Sequence, residues 1–75
     1  MTSDEISARI DEIIRRPYHP LITGEQLEGY LGEVLELEGC FTAGETAEEA
    51  LAKLHEAMTA WLESALEHGD PIPEP

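Results

Sequence analysis

The apolar positions of this chain keep one period, change to another, and then return to the first. Ile6, Ile10, Ile13 and Ile14 recur at helical spacing near the start. Thr2 and Glu5 have the spacing of a capping box, and Asp4 and Glu5 lie where a helix dipole is positive. Arg15 and Arg16 suit the negative end, and Pro17 stops the run. The pattern predicts an N-terminal helix within residues 1–16. Four isoleucines on one side of so short a helix do not hold it in water alone, so it must dock on its own domain or on a neighbouring subunit.

Residues 17–45 read as strands. Tyr18 to Thr23 favour extended chain, with Pro20 confining that strand to an edge. Gly24 to Glu28 is a polar turn. Tyr30 to Leu37 gives the clearest strand, with Tyr30, Gly32 and Val34 on one side and Leu31, Glu33 and Leu35 on the other. Gly39 marks a bend, and Cys40 to Ala43 a short third strand. Helical spacing returns with Ala47, Ala50, Leu51, Leu54, Met58, Trp61, Leu62, Ala65 and Leu66. Thr46 and Glu49 open this helix as a capping box, Gly69 ends it, and Pro71 forbids continuation. The prediction is a helix over 46–68 and an extended tail over 69–75. The chain offers that helix no apolar surface except the strands before it. The expected fold is therefore α+β: a small three-stranded antiparallel sheet, one long helix packed on it, and an extra N-terminal helix, all in a single domain over 1–75.

Size sharpens the picture. A 75-residue chain buries only ~60–65 % of its unfolded surface, so a monomer is marginal. One cysteine cannot form an internal disulfide. Oligomerisation is the remaining common remedy. The isoleucine stripe Ile6, Ile10, Ile13 and Ile14 is the expected interface of a homo-oligomer, a dimer or a tetramer. No apolar run approaches the ~18 residues of a membrane-spanning helix. The opening residues lack the basic and apolar regions of a signal peptide, so a cytoplasmic, soluble protein is expected.

Charge changes the functional picture most. The formal net charge is −13. Residues 1–16 are near neutral, whereas residues 17–75 hold thirteen acids and one base, Lys53. Nucleic-acid binding needs a basic surface that displaces counterions, and the main body has none. A basic protein partner suits it. Simple solubility is the plainer account of the same charge.

Candidate chemistry adds little. His55-Glu56 begins like a zinc-protease helix, but Thr59 stands where the second histidine belongs. Cys40 has no histidine signature near it and reads as a small buried apolar residue. Glu33, Glu36, Glu38 and Glu45 invite comparison with two-metal nucleases. They straddle strand alternation and a bend, and almost no lysine or arginine accompanies them to receive a phosphate chain. No catalytic residue, cofactor or metal is expected. Tyr30, Phe41 and Trp61 are expected in the core. An exposed aromatic among them would mark an interface.

Several of these stretches together resemble a known family. Tyr30-Leu-Gly-Glu-Val34, Glu36-Leu-Glu-Gly-Cys40, Thr42-Ala-Gly-Glu-Thr46-Ala-Glu-Glu-Ala50, Trp61-Leu62-Glu63 and Gly69-Asp-Pro-Ile-Pro73 are similar, in that order, to the HicB antitoxins. The resemblance covers roughly residues 18–75. Where that family has Pro-x-Leu-Pro-Gly-Cys, this chain has Leu35-Glu-Leu-Glu38-Gly-Cys40, so both prolines are missing. The resemblance implies a fold described as a partially degraded ribonuclease H. It also implies a function without chemistry: binding a small basic HicA-like ribonuclease and blocking its active site. On that reading Glu33, Glu36, Glu38 and Glu45 form the partner-binding rim. In the family a last strand follows the long helix, and full-length members often add a DNA-binding module. Here the strand is expected to be short or absent, and autorepression is not expected of this chain alone. The alternative, from another class, is an oligomeric structural or adaptor protein without a toxin.

Overall fold

The computed structural model describes residues 2–75. Helix α1 spans Ser3–Ile14, strands β1, β2 and β3 span Pro20–Glu25, Gly29–Val34 and Phe41–Gly44, and helix α2 spans Ala47–His68. The fold is α+β, as the sequence predicts. The sheet is antiparallel with order β1-β2-β3.

Local signals set the helix ends. At α1 the capping box is complete: Thr2 accepts from the Glu5 backbone N–H, and Glu5 accepts from that of Thr2. At α2 it is displaced by one residue. Thr46 accepts from the Glu49 N–H at 3.0 Å, but Glu49 accepts from Glu45 rather than from Thr46. Gly69, at φ 69, closes α2, and the Asp70 N–H reaches back to the Ala65 carbonyl at 2.9 Å.

Helix α2 lies across one side of the sheet and sits close to it. A methyl group on Gly44 would fall 2.6 Å from the Ala50 nitrogen. One on Gly32 would meet the Ala50 carbonyl oxygen at 3.3 Å. These two glycines are what let the helix settle on the backbone of β2 and β3.

Helix α1 packs on α2 and not on the strands. Ile6, Ile10 and Ile13 are buried there, in one core with Tyr18, Val34, Leu37, Cys40, Leu54, Met58 and Leu62. Ile14 is half-buried beside it. Of the two docking choices open to the stripe, the chain takes its own domain. It covers that stripe without a second subunit.

Three placements differ from the sequence reading. Tyr18 precedes β1 instead of starting it, because its ring enters the core and its hydroxyl donates to the Pro73 carbonyl at 2.6 Å. Strand β2 ends at Val34 rather than at Leu37. Two linked turns follow, in which the Leu37 N–H donates to Val34 and the Cys40 N–H to Leu37. They drive Leu37, 1 % exposed, into the core. The third difference is Phe41, which lies outside the core at 63 % exposure. Residues 69–75 carry no strand. No helix of the described residues is long and apolar enough to cross a membrane.

Candidate functional site

Strand alternation gives the sheet two unlike sides. Gly32 lies under α2, so Leu31 and Glu33, its neighbours in β2, point away from the helix. Pairing register brings more residues to that open side. Leu21 of β1 and Phe41 of β3 lie opposite Glu33 on its two flanks. Thr23 and Ala43 flank Leu31 in the same way. The large side chains here remain in water: Leu21 is 40 %, Leu31 43 % and Phe41 63 % exposed. Leu35, in the turn just past the end of β2, is exposed as well. Helix α1 cannot cover it, since it packs on α2 beyond the opposite side. A contiguous apolar patch with a polar surround is the usual mark of a binding surface.

Glu33 is the acid at the centre of this face, and it is half-buried. Among the described residues no ion pair involves it. Lys53 pairs with Glu49 at 3.1 Å, and Arg16 with Glu12 at 3.5 Å. Arg9 lies in α1, which does not contact the strands, and Arg15 caps that helix.

The other three glutamates are not gathered with Glu33. Glu36 is engaged in the fold. Its carboxylate accepts the His19 backbone N–H at 2.9 Å and also contacts the His19 ring. Those bonds, the backbone one foremost, hold its carboxyl below the usual carboxylate range. Glu38 is exposed in the same turn, where its carbonyl accepts the Trp61 indole N–H at 2.9 Å. Glu45 is exposed at the opposite end of the sheet, just beyond the Tyr30–Gly44 pair. The partner rim expected from sequence is thus one central acid, one structural acid, and two at opposite ends.

Other features that suggest chemistry are accounted for locally. Cys40 is buried and free, and burial pushes its thiol up. Among the described residues no three metal-ligating side chains converge. His55 is exposed on α2. The surface that sequence reasoning missed is the apolar frame of Leu21, Leu31 and Phe41. The signal was present: one long helix can cover one side of a sheet, and a second helix that docks on the first leaves the other bare.

The comparisons agree with the resemblance found in the sequence. A family model described as the HicB-like antitoxin of bacterial toxin-antitoxin systems matches residues 18–75. The chain is similar to the UPF0150 protein Ta0767 of Thermoplasma acidophilum, 41 % identical over 56 residues, which is 75 % of this chain and 81 % of that protein. It is 40 % identical over 45 residues to the UPF0150 protein ssl0259 of Synechocystis, covering 60 % of this chain and 62 % of that one. An uncharacterised 14.9 kDa protein from the rep-hol intergenic region of Haemophilus phage HP1 is 32 % identical over 56 residues, 75 % of this chain but 42 % of its own length. No solved structure matches at a significant level.

Proposed function

The chain belongs to the HicB-like antitoxin family of bacterial toxin-antitoxin systems, and on that premise we propose that it neutralises a small basic HicA-like ribonuclease by binding and occluding it. The observation that supports the reading is the charge of the matched region. Thirteen acids against one lysine over residues 17–75 make a field that attracts a cationic protein and repels nucleic acid. The antitoxin acts by binding alone, with no reaction of its own and no direct contact to nucleic acid, and the encounter is cytoplasmic. A homo-oligomer of the free chain belongs to the same proposal. Its contact lies off Ile6, Ile10 and Ile13, which the chain covers itself.

The test is co-expression with a small basic HicA-like protein. Growth arrest by that protein alone, and rescue by the pair, is the expected result. Purified partners should also associate faster at low salt, because steering is screened beyond about 8–10 Å near physiological ionic strength. Absence of rescue and of binding would leave the adaptor reading in its place.

A further inference from the structure

We infer that the open face of the sheet is the contact surface for the toxin, and that the toxin meets it with one Lys or Arg side chain set in an apolar surround. The cation seats on Glu33, and the surround covers Leu21, Leu31 and Phe41. This rests on the antitoxin reading and deepens it by naming the contact and its chemistry.

Three observations select this face and this occupant. The first is where the apolar surface lies. Leu21, Leu31 and Phe41 are exposed large side chains brought onto one side by strand register. Interfaces have apolar centres with aromatic anchors, and Phe41 is the most exposed of the three framing residues. The second is Glu33, in register between Leu21 and Phe41 and half-buried by its neighbours. Covering the face removes water from this carboxylate, and a carboxylate removed from water without a partner is costly.

The third observation decides between occupants. A second copy that meets the face with its own open face brings no cation, because none of the three strands carries a Lys or Arg. Two open faces brought together by a two-fold axis would each bury a carboxylate in apolar surroundings. A basic partner supplies the charge, and the net charge of −13 favours its approach.

The experiment measures binding of the full chain to a catalytically inactive HicA-like protein by biosensor. Phe41→Ser and Glu33→Gln should each weaken the complex about tenfold or more, mainly through faster dissociation, and Glu33→Lys by about a hundredfold. Glu56→Gln and Leu51→Ser, at two separate exposed positions of α2, should change affinity less than about twofold. Each variant is checked for an unaltered circular dichroism spectrum and melting temperature. Binding retained by Phe41→Ser and Glu33→Lys but lost by Leu51→Ser would overturn the inference while leaving the antitoxin reading intact. Phe41→Ser that splits an oligomer of the free chain in light scattering, with toxin affinity unchanged, would assign the face to a second copy and also overturn it. Failure of the unmodified chain to bind at all would overturn both.

Discussion

The two sides of the sheet are built from the same three strands and share almost no design. On the covered side the strands carry Gly32 and Val34 and receive Leu54 and Ala50 from α2 at backbone distance. On the open side they carry Leu21, Leu31 and Phe41 around one acid. The first side removes bulk so that a helix can approach. The second retains bulk that nothing in the chain approaches. Stability is therefore concentrated on one side and the proposed recognition surface lies on the other, and substitutions on the two sides should separate them.

The largest difference is expected at Leu54 and Leu31, on either side of Gly32. Leu54→Ala opens a cavity under α2 and should cost about 2–5 kcal/mol in urea unfolding, whereas Leu31→Ala should cost about 1 kcal/mol or less. Similar losses at both sites would mean that the open side is covered in solution. A sharper contrast lies at neighbouring positions of β3. Gly44→Ala pushes a methyl group against the Ala50 backbone and should cost about 1–3 kcal/mol. Ala43→Ser, one residue earlier on the open side, should stay within about 0.5 kcal/mol. Equal melting temperatures for those two variants would show that the helix is free to lift from β3.

The end of the sheet carries a smaller effect. Trp61→Phe keeps an aromatic group but loses part of the ring's packing and the bond to the Glu38 carbonyl, so it should cost about 1–2 kcal/mol. An unchanged denaturation midpoint would show that the turn over residues 35–39 is held by Leu37 alone. The smallest effect concerns Glu36, an acid engaged in the fold through His19. Its pKa is depressed in the folded state, foremost by the His19 N–H. Its contribution is therefore present above the ordinary glutamate pKa of about 4.3 and fades as pH falls through the lower folded value. Glu36→Gln should flatten that acid limb of stability and leave binding unchanged. A variant whose acid limb matches the parent's would assign the limb to other carboxylates.

Legibility in the sequence followed the range of the interactions. Helix α2 was readable to within one residue because both of its ends are set by neighbours, Thr46 with Glu49 and Gly69 with Pro71. The capping box of α1 was readable for the same reason. The alternation of β2 correctly separated Tyr30, Gly32 and Val34 from Leu31 and Glu33. The ends of β1 and β2 were less legible, since they depend on distant partners: Pro73 for Tyr18, and His19 for Glu36. Phe41 was placed in the core because an aromatic residue in a strand usually has a cover. Which side the one available helix takes is not encoded near position 41. The stripe of α1 left two docking choices open, and the choice depended on the far side of α2.

The hydroxyl bond from Tyr18 to Pro73 spans 55 positions of sequence and joins the first residue of the family-matched region almost to its last. Viewed as connectivity, that region is nearly a ring, with α1 attached at the junction. A ring does not depend on where it is cut. The β1–β2 hairpin tip, where Leu27 is 95 % exposed, is a second place to open it. A permuted chain that starts beyond Leu27, runs through α2 and the tail, and re-enters at Tyr18 through a short glycine link would keep every strand pairing and both sides of the sheet.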